Sequence, residues 1–442
     1  MRLAMRGLRA GVVAVTVVSA LTLTACGGGA RPGGADGGGA AGGSGFSAWA
    51  LTGGAEQAFR DSFTEWNNAN GDTKVSSEFF ANDAYKEKIR TAVGSGNAPT
   101  LIYNWSGGTL KEYVQNKKVV DLTESTKVLQ NRLLPSVLAS GKVDGKVYAV
   151  PNNNAQPVVL FTNKDVMSKA GLSKAPTTFD ELLSAVEKLK AAGVKTPIAL
   201  AGQSVWPELM WLEYLADRVG GPELFGKIKA GDASAWSDPA MLKALDMISQ
   251  LVKAGAFGDR YGSVTADSGA DVALIHQNQA GMLLQGAWVY GSFLTDNPDF
   301  VKAGKLGYAD FPSVSGGKGD ENNIVGNPAN FWSISANASE AQRTAALKYL
   351  NESLFNDTYV KSLIDGGNVP VTKDAESKLA ESDQKDFLTF AYGMVKDAPN
   401  FELSWDQALT SSQSQTLLTN LSKLFLGQAT PQQFAAAMKA AK

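Results

Sequence analysis

Beginning at Phe46, short apolar runs alternate with stretches of helical periodicity, and this alternation restricts the chain to few architectures. Phe46–Leu51 is apolar enough for a buried strand and is turned by Thr52-Gly53-Gly54. Phe59, Phe63 and Trp66 then recur at helical spacing. Lys74–Phe80 predicts the next strand, Tyr85–Val93 the next helix, Pro99–Trp105 a third strand and Leu110–Asn116 a further helix. Strands alternating with helices predict βαβ units and a mostly parallel sheet.

The pattern breaks once, at Val150-Pro151-Asn152-Asn153-Asn154-Ala155-Gln156-Pro157, and resumes with a strand over Val158–Thr162. Thr178 and Glu181 then form a capping box, because a Thr at the N-cap and a Glu three residues on satisfy each other's free backbone donors. Phe179, Leu182, Leu183, Val186 and Leu189 share one face behind it, and Gly193 stands where a C-terminal glycine belongs. Ser237-Asp238-Pro239 starts another helix, with Met241, Leu245, Ile248 and Val252 on its buried side. There is no internal repeat. The reading is two α/β lobes joined at about residues 150–157.

Composition removes several functions. The 442 residues hold one His and one Cys, too few for an ordinary zinc site or a disulfide framework. A Ser-His-Asp triad would rest entirely on His276, which follows Leu274-Ile275 near a helix end and reads as a surface or packed residue. With 41 basic against 43 acidic side chains there is no electrostatic footprint for nucleic acid. No Gly-x-x-x-x-Gly-Lys-Ser/Thr loop occurs, so this chain does not hydrolyse ATP.

The front of the chain is of another kind. Arg2, Arg6 and Arg9 precede an apolar run from Gly11 to Ala25, shorter than the roughly 20 residues that span a bilayer. That is the layout of an export signal over residues 1–25. Its last residues, Leu23-Thr24-Ala25-Cys26-Gly27, resemble a bacterial lipobox, which implies cleavage before Cys26 and lipidation of its thiol. Acyl chains there would tether the protein to a membrane surface. Removing the signal takes away three arginines and leaves a mildly acidic body. Residues 26–45 form a leash: positions 27–45 hold eleven glycines in 19 residues, with a reach of about 25 Å.

Several stretches of the body resemble bacterial extracellular solute-binding proteins of family 1, the sugar-binding subunits of ABC importers. They are Thr162-Asn163-Lys164-Asp165-Val166, Ala170-Gly171-Leu172, Pro176-Thr177-Thr178-Phe179-Asp180-Glu181-Leu182 and the run Gln279–Trp288. Asn330–Ser335, the helix Glu340–Leu350 and Gly367-Asn368-Val369-Pro370-Val371 follow in the family's order. The resemblance implies a type II periplasmic-binding-protein-like α/β fold with a ligand cleft between its lobes. Carried onto this chain, it gives lobe one residues 46–152 and 310–365, and lobe two residues 158–309 and 366–442. It implies a monomer without cofactor or metal, anchored at the cell membrane on the extracellular side. It would work with permease subunits and a separate ATPase. Closure would be a hinge motion around the ligand.

A sugar offers hydroxyls to polar side chains and flat C–H faces to aromatic rings, so its site needs planar apolar platforms beside groups that donate and accept. Trp288 closes a Gly286-Ala287-Trp288 turn, Trp405 precedes Asp406, and Trp105 ends a strand before Ser106-Gly107-Gly108. Trp206 stands before Pro207 at the mouth of a helix. Asn82 and Asp83 end a strand loop, Asn154 and Gln156 lie at the hinge, and Asn327 precedes the Asn330 strand. These ten residues are the expected ligand contacts. Trp66 and Trp211 fall inside helix patterns and read as packing.

Three functions fit. The first is capture of an oligosaccharide, with the Trp105-Ser106-Gly107-Gly108 stretch resembling binders of β-linked xylo- or cello-oligosaccharides. The second is the same fold serving a peptide or polyamine, which requires several acidic groups facing the cleft. The third is a surface glycoside hydrolase, which needs two carboxylates set across a cleft. Asp83, Glu208, Glu213 and Asp406 are available, although no spacing couples them.

Overall fold

A computed structural model describes residues 44–441. The export signal, Cys26 and nearly all of the glycine leash lie outside the described residues. Among the described residues, no helix is long and apolar enough to cross a membrane.

Two sheets carry the molecule. The first has strands in the order Val75–Phe80, Phe46–Leu51, Leu101–Asn104, Phe331–Ile334 and Val150–Pro151. The second runs Phe401–Leu403, Ile324–Asn327, Gln156–Asn163, Ala280–Gly286 and Thr196–Ala199, with Leu306–Ala309 also paired to Gln156–Asn163. The first three strands of the chain are parallel, as their βαβ spacing requires. Beyond them the pairing is mixed: Thr196–Ala199 is parallel to Ala280–Gly286 and Ile324–Asn327 to Phe401–Leu403, but the expectation of mostly parallel sheets does not hold. Phe331–Ile334 runs antiparallel to both its neighbours, and Gln156–Asn163 runs antiparallel to Ala280–Gly286, Ile324–Asn327 and Leu306–Ala309. The reason is that the chain returns to each sheet from the other lobe, and a returning strand enters head first.

Helix termini follow local chemistry. Thr178 Oγ1 accepts the Glu181 N–H at 3.1 Å, but the Glu181 carboxylate turns to the N–H and hydroxyl of Thr177 rather than back to Thr178. Asp238 caps Pro239–Lys253 through the Ala240 N–H. Full capping boxes occur at Ser339, Thr410 and Thr430. His276 ends the helix Ala270–His276 and packs edge-on to Phe293.

The crossings between sheets differ from those carried over by resemblance. The first passes between Pro151, paired to Phe331, and Gln156, paired to Asn327. Residues 310–327 do not belong with lobe one, because Ile324–Asn327 is hydrogen-bonded inside the second sheet. The return crossing is therefore at 328–330. Nor does lobe two begin again at 366. The Leu134 N–H donates to the Val371 carbonyl, the Lys373 N–H donates to the Arg132 carbonyl, and Lys378 pairs with Asp357. The chain joins the second lobe at Gln384, whose Oε1 accepts from the Tyr290 hydroxyl at 2.7 Å, and at Phe387, stacked 3.9 Å from Tyr290 and packed on Phe161.

Candidate functional site

The first two crossings run side by side, and between the lobes they form the floor of a cleft enclosing about 310 Å³. Asn330 ties the two together. Its Oδ1 accepts from Asn153 Nδ2 at 2.9 Å and Gln156 Nε2 at 2.6 Å, and its N–H donates to Asn153 Oδ1 at 2.8 Å. Asn153 Nδ2 also reaches the Tyr103 hydroxyl at 3.2 Å.

Aromatic rings line both sides. Trp105, at the end of Leu101–Asn104, meets Tyr103 edge to face at 5.7 Å, and Lys86 Nζ lies 5.3 Å from its ring centre. From the second lobe come Trp206 and Trp288, with centroids 6.0 Å apart and planes at 45°. Gly286 makes the Trp288 pose feasible: a Cβ there would fall 1.8 Å from the indole, so the ring lies against bare backbone. Val205 sits before Trp206 with φ 62°, an unfavourable conformation for a β-branched residue, and aims the helix Trp206–Gly220 at the cleft.

Of the expected contacts, Asn82, Trp105, Asn154, Gln156, Trp206, Trp288, Asn327 and Asp406 line this cavity. Asp83 does not. Its carboxylate accepts from Asn82, while its N–H donates to Asp267 Oδ2 across the cleft rim at 3.0 Å. Trp405 is a correction: it is 0% exposed, stacked 4.4 Å from Phe225 and edge-on to Trp236 in the second lobe's core. Its indole N–H donates to Glu402 at 2.6 Å, leaving no face for a ligand. Trp66 and Trp211 are buried as expected.

Sequence reasoning missed Tyr103, Lys86, Glu213, Asp267, Asp271 and Gln285, all of which line the cavity. The sequence offers Glu213 only as a candidate catalytic acid. Its Oε1 accepts from the Trp405 N–H at 2.7 Å and the Ser404 hydroxyl at 2.8 Å. Burial holds its carboxyl well above the usual range, and the nearby Asp406 and Glu402 charges add to the shift. Burial also raises Asp271, against the opposing hydrogen bond from Gln285 at 2.9 Å, and raises Asp267 with help from Asp83. Glu208, raised to about 9 by burial, is outside the cleft lining. Four buried atoms of the lining lack a partner among the described residues: Asn154 Oδ1 and Asn327 Oδ1 accept, Trp206 Nε1 donates, and Glu213 Oε2 belongs to a carboxyl whose burial favours the protonated, donating form. Unmet buried polar groups cost about 1–3 kcal/mol each, so such a site favours a hydroxyl-rich occupant.

The lobes touch along the rim. Lys86 lies 3.5 Å from Asp406. Glu112 accepts both the N–H and the hydroxyl of Ser411, at 2.9 and 2.6 Å, at the start of the helix Ser411–Phe425. A Cβ on Gly108 would fall 1.9 Å from the Leu409 carbonyl, so the two backbones meet directly.

Two sheets bridged by adjacent crossings, with a polar and aromatic cleft between, define a two-lobe solute-binding protein. The chain belongs to the bacterial extracellular solute-binding protein family, whose model matches residues 49–357. This is a family of binding proteins and not of enzymes. A "Probable sugar-binding periplasmic protein" of Mesorhizobium japonicum is 33% identical over 215 residues, 48% of this chain and 49% of that protein. The chain thus spans about half the length of the first curated relatives it matches. The sn-glycerol-3-phosphate-binding periplasmic protein UgpB of Agrobacterium fabrum is 25% identical, over 75% of each chain. A solved structure from a study of xylan utilization by Caldanaerobius polysaccharolyticus superposes with a TM-score of 0.80 at 28% identity, covering 89% of this chain and 99% of that one.

Proposed function

We propose that this chain is the substrate-binding subunit of an ABC importer, capturing an oligosaccharide between its lobes and delivering it to a membrane permease driven by a separate ATPase. Lipid on Cys26 would hold it at the outer face of the cell membrane, with residues 26–45 as the leash. The carrying observation is the pairing of aromatic faces, Trp105 opposite Trp206 and Trp288, with unpartnered polar atoms on Asn154, Asn327 and Glu213. The cavity sits near the lower end of the ~300–1,000 Å³ range of ligand pockets, which favours a short sugar. Likeness to the xylan-utilization structure supports a β-linked xylo- or cello-oligosaccharide.

A second reading, a cationic solute such as a polyamine or basic peptide, draws on the acidic lining. Aromatic faces also bind cations, but an ammonium cannot accept from the unpartnered Trp206 Nε1 as a sugar hydroxyl can, so this reading ranks below.

Thermal unfolding of residues 44–442 against xylo-, cello-, chito- and malto-oligosaccharides, polyamines and peptides separates the readings. A ligand at 100 times its dissociation constant adds about 2.7 kcal/mol of stability. The expected result is a shift with one β-linked oligosaccharide, recovered intact after long incubation. A shift only with polyamines or peptides would overturn the sugar.

A further inference from the structure

Resting on the sugar reading, we infer that the cleft sorts its ligands by charge: it admits uncharged and amino-bearing sugars and rejects those carrying a carboxylate or a phosphate. Five acidic side chains line the cavity, Glu213, Asp267, Asp271, Asp296 and Asp406, against one cation, Lys86. All five come from the second lobe: the helix Trp206–Gly220, the 266–271 segment, the helix Val289–Asp296 and the turn after Ser404. A ligand anion would lie against this acidic wall.

Lys86 is already engaged by Asp406 and by the Trp105 face. Among the described residues, none of the other four acids has a cation within ion-pair distance that a ligand anion could share or borrow. The backbone donors that ordinarily bind a phosphate are also taken. The helix Asn82–Ser95 points its first turn at the cleft, and there the Asp83 N–H holds the Asp267 carboxylate. The Gly53 N–H, in the cavity wall before the next helix, holds the Glu56 carboxylate at 2.8 Å. The protein's own carboxylates thus occupy the positions an anionic ligand would need.

The unpartnered atoms point the same way. Asn154 and Asn327 each present a free carbonyl oxygen to the cleft. Acceptors are completed by hydroxyl or ammonium donors and repelled by a second carboxylate.

The test is calorimetric titration of the mature chain with four probes: cellobiose, cellobiouronic acid, chitobiose with free amines, and sn-glycerol 3-phosphate. Cellobiose and cellobiouronic acid share one skeleton, so their difference is charge. The expected result is binding of cellobiose or chitobiose, with cellobiouronic acid and glycerol 3-phosphate at least a hundredfold weaker. The Asp267→Asn, Asp296→Asn double variant should narrow that gap at least threefold. Cellobiouronic acid within threefold of cellobiose, or an unchanged gap in the variant, would overturn the charge inference and leave sugar binding standing. Glycerol 3-phosphate binding while no sugar on the wider panel binds would overturn both.

Discussion

Two tryptophans drawn from the same sequence signal end in opposite places. Trp288→Ala removes a cleft platform and should weaken sugar binding by about 1–3 kcal/mol with little change in melting temperature. Trp405→Ala opens a hole in the core and should cost about 3–5 kcal/mol of stability. Paired titration and denaturation of the two variants checks the assignment, and a binding defect confined to Trp405→Ala would reverse it. Glu208 supplies a pH signature. Burial lifts its carboxyl from 4.5 to about 9, so the fold keeps a proton that the unfolded chain gives up. Stability should therefore fall as pH rises from about 4.5 to 9, by at most about 1.4 kcal/mol per unit from this group. Glu402, raised to about 8 by burial, acts in the same direction. Urea midpoints at pH 5, 7 and 9 should show the decline, and Glu208→Gln should reduce its slope while the Glu402 part remains. At this scale the sequence reveals residue type better than facing. Trp288 and Trp405 each sit beside a polar turn, and only the Phe225 and Trp236 rings, distant in sequence, decide that Trp405 faces inward.

Among the elements, the local signals carry furthest. The strand Phe46–Leu51 and the helix through Phe59, Phe63 and Trp66 appear where periodicity puts them, because their apolar faces meet one shared core. What periodicity omits is the contact between elements of different lobes. Gly107 and Gly108, which by resemblance suggested a class of sugar, have a packing role: they let the helix Gly108–Gln115 abut the turn at Gln407–Leu409. From that helix Glu112 completes the first turn of Ser411–Phe425, a carboxylate at the positive end of a helix dipole. Glu112→Gln should weaken the closed form by about 0.5–1 kcal/mol. Stopped-flow kinetics should show faster ligand release with an unchanged association rate. An unaltered release rate would remove Glu112 from the closure.

For the molecule as a whole, the crossings are set by long-range pairing. Strand pairing joins residues hundreds of positions apart, and nothing local to Ile324–Asn327 says which sheet it enters. One apolar cluster runs from Phe46 in the first sheet through Phe161 and Phe387 beside the second. Because that cluster reaches both lobes, beside a second cluster confined to lobe two, ligand-free unfolding should be a single calorimetric transition, with van't Hoff and calorimetric enthalpies in agreement. Two resolved transitions would show the lobes melting apart. The paired crossings have a mechanical meaning as well. Two crossing segments laced side by side by Asn153, Gln156 and Asn330 make a flat strap rather than a string. Such a strap would bend about one axis and resist torsion, so that opening and shutting would retrace a single arc and report an occupied cleft to the outside as one angle.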